Sequence, residues 1–200
     1  KSFDEQKTLA RIGQLFWEQG FSATSMDEIS AHVGLKKTSI YNAYGDKASL
    51  FRASVDWYVG YVISGGTVHL NQNATVSKDI EALLRHFLVE PLASIVSRGC
   101  LLTTSLAELQ RTEPNLHGYV QMQTRSIQNM LVQYMQNAQA QERLIEDADP
   151  VVLGNYIFTL LQGLRTEARE GAEPGVLSET INVAMAPLRL AEPRFARTNV

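Results

Sequence analysis

The chain has 200 residues, 44% of them hydrophobic, with a net charge of −3, a mean hydropathy of −0.13 and one cysteine, Cys100. That is enough apolar material for a real helical core, but no run approaches the roughly 18 uncharged apolar residues that a membrane span needs. The lone cysteine excludes an intrachain disulfide and a multi-cysteine zinc site, and residues 1–20 carry charges throughout with no apolar leader segment, so a reducing cytoplasm is the expected setting.

Helical periodicity broken by Gly and Pro predicts an all-α fold of about nine helices. Residues 4–19 place Leu9, Ile12, Leu15 and Phe16 on one face and stop at Gly20. Ser25 and Glu28 have the spacing of a capping box and open a short helix that buries Met26, Ile29 and Val33 before Gly34 ends it. Residues 38–44 form a second short helix with Ile40 facing inward. Asp46 caps a longer one from Lys47 to about Ile63, which the pair Gly65-Gly66 is expected to stop.

Further on, Ser77 is expected to cap a helix with the stripe Ile80, Leu83, Leu84, Phe87 and Leu88, and Pro91 to kink or end it. A short helix spans 101–110. Pro114 suits the first position of a long helix to about Gln141, and Asp149-Pro150 opens another with Leu153, Tyr156, Ile157, Leu160, Leu161 and Leu164. Residues 175–189 make the last helix, and residues 193–200 read as a flexible tail.

The charge is not evenly spread. Residues 1–52 carry +1 and residues 53–200 carry −4, and within 32–52 four basic side chains stand against one acid. Such a local positive face on an acidic body would orient the protein on phosphates. The short helix there presents Lys37, Thr38, Ser39, Tyr41, Asn42 and Tyr44, with Lys36 just ahead of it. Donors of this size suit a helix lying in a major groove about 12 Å wide. Thr38, Ser39 and Tyr41 can donate to phosphates or touch a thymine methyl; Asn42 matches an adenine edge; Lys37 can reach a guanine or a phosphate. Lys47, in the first turn of the next helix, is placed to hold one phosphate, and Thr24 with Ser25 another. A merely structural surface hairpin would show mixed charges with Glu prominent, whereas no acid occurs between Glu28 and Asp46.

These residues, in this order and spacing, resemble the N-terminal domain of the TetR family of bacterial transcriptional regulators. The resemblance is carried by Leu15-Phe16, Gly20-Phe21, the run from Thr24 to Ile29, Val33-Gly34-Leu35, Tyr41-Asn42-Ala43-Tyr44, Gly45-Asp46, Lys47 and Leu50-Phe51. Tyr44, Ala43 and Lys36 depart from the commoner Phe, His and Ser. The resemblance implies a three-helix DNA-reading head over residues 1–50 and a larger effector-binding and dimerisation body over 51–192. It also implies a homodimer through residues 150–170 and 175–189, and operator DNA released when a small hydrophobic effector binds. Gly154 and Gly163 would permit close helix approach in a four-helix interface between two copies.

An effector pocket is expected to draw on inward-facing apolar, aromatic and a few polar side chains. The candidates are Trp57, Tyr61, Phe87, Cys100, Leu106, Tyr119, Met122, Met130, Tyr156 and Gln162. Cys100 has two readings, a thiol sensing electrophiles beside Arg98 and a helix start, or a small buried hydrophobe. The four histidines lack metal-ligand spacing, so no metal and no cofactor is expected, and Glu108, Glu113 and the acidic run at 142–149 read as a solvated face. No nucleophile–base pair or phosphate-cradling loop stands out. A helical small-molecule carrier or enzyme with an incidental head is the alternative.

Overall fold

The computed structural model describes residues 4–88 and 99–193, and the described residues contain helices and no strand. The helices are α1 (Glu5–Gln19), α2 (Met26–Val33), α3 (Lys37–Tyr44), α4 (Lys47–Thr67), α5 (Val76–Leu88), α6 (Leu101–Leu109), α7 (Pro114–Ala140), α8 (Pro150–Arg169), α9 (Pro174–Ala184) and α10 (Ala186–Ala191). Pro91 and the tail beyond Pro193, both assigned from sequence, lie outside the described residues.

The helix starts follow local chemistry. Asp4 accepts from the Lys7 amide, Ser25 and Glu28 exchange both bonds of a capping box, and Asp149 accepts from Val151 N and Val152 N. Asp46 accepts from Ser49 N at 2.7 Å. Three expectations need correction. Gly65-Gly66 does not stop α4, which runs on to Thr67; a Cβ on Gly66 would lie 3.3 Å from the Phe87 ring, so the pair lets α5 approach closely. Ser77 does not cap α5, because the helix begins one residue earlier. The Ser77 amide donates instead to Glu192 Oε1 at 2.6 Å, while Lys78 N reaches Thr75 Oγ1. The last predicted helix is two segments, since Pro187 has no N–H to give the carbonyl four residues back.

The chain divides into two compact units, Lys1–Val62 with Cys100–Arg125, and Ile63–Gly99 with Ser126–Val200. Helix α6 and the start of α7 therefore belong with the first three helices, a grouping different from the head and body drawn at residue 50.

In the first unit Ile12, Phe16, Ile29, Ile40, Leu50, Phe51 and Val55 are fully buried. Phe51 meets Phe16 and Phe21 edge-on at 5.2 and 5.1 Å between centroids, and Trp17 meets Tyr58 at 4.8 Å. In the second unit α5 packs on α8, α9 and α10 through the predicted stripe, with Ile80, Leu83 and Leu84 sealed against solvent. Gly154 of α8 sits against the α7 backbone, where an added Cβ would be 2.7 Å from Val132 Cα. The predicted close approach at Gly154 therefore serves a packing within this chain.

Asp79 is the polar hub of the second unit. Fully buried, it accepts from the amides of Asn71, Gln72 and Asn73, from Asn73 Nδ2, from the Tyr134 hydroxyl at 2.7 Å and from Arg143 Nη2 at 2.6 Å. Burial pushes Asp79 up, but the Arg143 guanidinium and the other donors outweigh it, leaving the carboxyl below its ordinary value. Burial and the Asp79 carboxylate raise the Tyr134 hydroxyl far above the usual tyrosine range, so it remains a donor.

Candidate nucleic-acid interface

Helix α2 ends at Gly34, whose φ of +72° and ψ of +27° form a left-handed C-cap that a β-carbon would strain. The amides of Gly34 and Leu35 return to Ser30 O, and Ser30 Oγ donates to Leu35 O at 2.6 Å. These bonds set the turn into α3. Ile40, wholly buried, then pins α3 by its inner face. The opposite face follows from helical spacing: Thr38, Tyr41 and Asn42 are exposed side by side, with Lys36 exposed at the N-cap. Among the residues of α3 and its caps there is no acid.

Other predicted contacts have partners within the protein. Lys37 pairs with Asp27, an exposed acid in the first turn of α2. The Tyr44 hydroxyl donates to Glu5 O at 3.3 Å, tying the end of α3 to the start of α1. Lys47 places its Nζ 4.4 Å above the Phe21 ring. Partial burial pulls its pKa below the ordinary lysine value, against the pull of the Glu108, Glu113 and Glu28 carboxylates. Ser25 is exposed and holds its capping box.

Thr24 does not fit its expected role. Its side chain is fully buried and its hydroxyl donates to Gly20 O at 2.7 Å, so it fastens the turn before α2 and has no face toward a phosphate.

Sequence reasoning missed three residues around this face. Asp27 is one. Arg11 of α1 donates to the carbonyls of His32 and Val33 and so caps the C-terminal end of α2. Glu108, read as part of a solvated face, accepts from Phe21 N at 3.0 Å and Ser22 N at 2.6 Å. A basic residue in the middle of α1 carries no local mark of its target. Glu108 lies 86 and 87 positions from its partners, beyond any local pattern.

The ten expected effector contacts are divided between the units. Trp57, Tyr61, Cys100, Leu106, Tyr119 and Met122 fall in the first, and Phe87, Met130, Tyr156 and Gln162 in the second. Met122 is not inward-facing, being 55% exposed. Trp57 covers Gly13 of α1, where a Cβ would lie 2.6 Å from its ring, and stacks on Tyr61. Tyr119 donates to Asp56 on α4, and Gln123 joins them. Tyr156 donates to Ala184 O at 2.8 Å. Cys100 is buried at the N-cap of α6 with the Tyr58 hydroxyl 3.5 Å from its Sγ, a setting that suits the small buried hydrophobe.

Comparison with known proteins bears on the whole chain. The family described as bacterial regulatory proteins of the tetR family matches residues 9–54, and the tetracyclin repressor-like C-terminal domain matches residues 77–183. The HTH-type transcriptional repressor ComR of Escherichia coli (strain K12) is 25% identical over 194 residues, covering 95% of this chain and 90% of that protein. The biofilm operon icaADBC negative transcriptional regulator IcaR of Staphylococcus aureus is 27% identical over 121 residues, 60% of this chain and 63% of that protein. Among solved structures, a cysteine mutant of the regulator CifR complexed with 26-bp double-strand operator DNA superposes with a TM-score of 0.80 at 21% identity, covering 96% of this chain and 98% of that one. The reduced form of Escherichia coli NemR gives 0.74 at 18% identity, with 95% and 98% coverage.

Proposed function

The chain belongs to the TetR family of bacterial regulatory proteins, and we propose that it acts as a dimeric repressor that reads its operator with α3 and lets go when a small molecule binds its body. It is a DNA-binding transcriptional regulator of the helix-turn-helix type; that family is not an enzyme family. The observation that carries the reading is the outer face of α3, where Thr38, Tyr41 and Asn42 stand exposed on a helix held by Ile40 and by the Gly34 turn. In a major groove these side chains meet base edges, while Lys36, Lys37, Ser39 and Lys47 serve the flanking phosphates. Ser25 and Tyr44, at the edges of the face, make lesser phosphate contacts. Repression is supported by the names of ComR and IcaR, and operator binding by the DNA on which CifR was determined.

Dimerisation is supported by what α8, α9 and α10 leave uncovered. Val152, Val176, Val183 and Leu190 are between 60% and 75% exposed, and Val176 and Val183, seven residues apart, share one face of α9. Gly163 is exposed with no atom within 4 Å of where its Cβ would be, so α8 offers a flat strip to a second copy. A two-fold axis would place two reading helices about one helical turn of DNA apart, or a multiple of it.

The test is fluorescence anisotropy on labelled duplexes from the DNA flanking the protein's own gene, against scrambled duplexes, across a range of salt. Specific binding at least about a thousandfold tighter than binding to scrambled DNA is expected, with affinity falling steeply as salt rises. Equal affinity for both duplexes at moderate salt would overturn the reading. Adding a panel of hydrophobic small molecules to the bound state then tests release.

A further inference from the structure

We propose that Glu108 is a positioning residue for DNA recognition, a carboxylate from α6 that holds the turn from which α2 and the reading helix are launched; the proposal rests on the DNA-reading role given above. The turn between α1 and α2 contains two amides, those of Phe21 and Ser22, that no helix satisfies. Glu108 accepts both, Oε2 from Phe21 at 3.0 Å and Oε1 from Ser22 at 2.6 Å. A carboxylate bridging two backbone donors is a charge-assisted pair of bonds with little freedom to slide.

The turn is shaped to receive it. Gly20 has a φ of +84°, and a Cβ there would stand 2.7 Å from Glu108 Oε2, so the carboxylate fills the space that a side chain would take. The backbone at position 20 favours glycine, and a side chain there would also displace the Glu108 carboxylate from its two amides. From this point two parts of the DNA face are set. Thr24 returns its hydroxyl to Gly20 O just ahead of the α2 cap, and Phe21, packed on Phe51, carries Lys47 over its ring. Glu108 itself is outside α1, α2 and α3, yet belongs to the same compact unit. The three-helix head is thus completed by a residue from α6.

Charge and position predict opposite signs. A carboxylate near a phosphate-binding face lowers affinity for any polyanion, so removing it should tighten binding to all DNA if its charge were all that mattered. If it holds the turn, removing it should weaken binding to the operator alone. Two variants of the full chain separate these. Glu108→Gln keeps the shape, loses the charge and retains one acceptor where two are needed. Glu108→Asp keeps the charge and is too short to reach both amides.

Both variants are expected to bind operator DNA about tenfold more weakly, equivalent to about 1.4 kcal/mol. Scrambled DNA should bind no more weakly than to the parent protein, and the slope of log K against log salt should stay the same because no phosphate contact is lost. Amide hydrogen exchange at Phe21 and Ser22 should quicken in both. Tighter binding of Glu108→Gln to operator and scrambled DNA alike, with Glu108→Asp behaving as the parent, would reduce Glu108 to a bystander charge and sink the proposal. So would unchanged operator affinity. If the parent protein shows no operator preference, the DNA-reading role fails on its own, and exchange at the two amides still decides whether Glu108 holds the turn.

Discussion

The two compact units solve the same problem, fixing helices relative to one another, with opposite materials. Around the reading face the fasteners are single side chains on backbone groups near the surface: Arg11 on the end of α2, Ser25 and Glu28 on its start, Glu108 on the turn before it. In the second unit they are charged side chains, Asp79 fully buried and Arg85 half-buried. Asp79 gathers six donors in the interior, and Arg85 spans Glu81 on its own helix and Ser178 and Asn182 on α9. The difference follows from what each region must leave free. A face that meets DNA has to stay polar and uncovered, so its elements are held from their ends; a body can bury its polar links because the interior is where they are strongest.

The buried side of this contrast breaks most dramatically. Asp79→Ala would leave Arg143 and Tyr134 facing an apolar gap and three loop amides without an acceptor, a loss of about 3 kcal/mol or more, which is a large part of a typical domain's stability. Chemical denaturation should show it as a lower midpoint with the slope unchanged. The same residue gives a pH signature. Its folded pKa lies below the ordinary carboxylate value of about 3.9, so its stabilisation is complete above that pH and is lost as pH falls through the lower, folded value. Acid unfolding of Asp79→Asn should therefore be shallower than that of the parent below about pH 4. An identical acid limb in the two proteins would remove Asp79 as its source.

Two glycines on α8 sharpen the comparison next. Alanine at either gains helix propensity of about 1 kcal/mol. At Gly154 the new methyl meets the Val132 backbone, which cannot turn aside as a side chain can, so Gly154→Ala should lose about 1–2 kcal/mol net. At Gly163 nothing stands in the way, and Gly163→Ala should stabilise the subunit while weakening its self-association. Melting temperature and sedimentation equilibrium read the two effects separately. Equal melting shifts in the two variants would mean that the α7–α8 contact is looser than described.

What was legible in the sequence divides along the same line. Most helix starts, the capping box at Ser25, the caps at Asp46 and Asp149 and the exposure of Thr38, Tyr41 and Asn42 on α3 come from chemistry within four residues, and those appear where periodicity placed them. Glu108 and Glu192 were invisible because each caps a turn or helix start 86 or more positions away, and an isolated Glu gives no sign of that. Gly65-Gly66 misled for the same reason: glycine reads locally as a stop, while its use here is to admit Phe87. The effector candidates suffered most. Facing inward is a property of the whole packing, and spacing along one helix could not tell that Met122 would be left outside or that Trp57 would lie on α1.

Thr24 tests a finer point, whether a conspicuous hydroxyl at a helix start serves DNA or the fold. Its oxygen is sealed and bonded to Gly20 O, so Thr24→Val, nearly isosteric, should lower stability by about 1 kcal/mol and leave the salt dependence of DNA binding as it was. A shallower salt slope would restore a phosphate to Thr24.

The smallest expected effect lies on the open face itself. If Lys37 serves a phosphate as proposed, it must exchange Asp27 for it when DNA arrives, and an exposed ion pair of this kind is weak but not free to break. Asp27→Asn removes the competitor without touching the reading residues. It should tighten binding to operator and scrambled DNA alike by about threefold, and Lys37→Ala in the same background should abolish the gain. Selectivity, the ratio of the two affinities, should not move. A gain that survives the loss of Lys37 would mean that Asp27 acts on the DNA's field in general, and a gain confined to the operator would mean that Asp27 helps orient α3. Only the pattern of equal gains that vanish with Lys37 assigns Asp27 as that lysine's counter-ion, the one acid in the first turn of α2 that DNA has to displace.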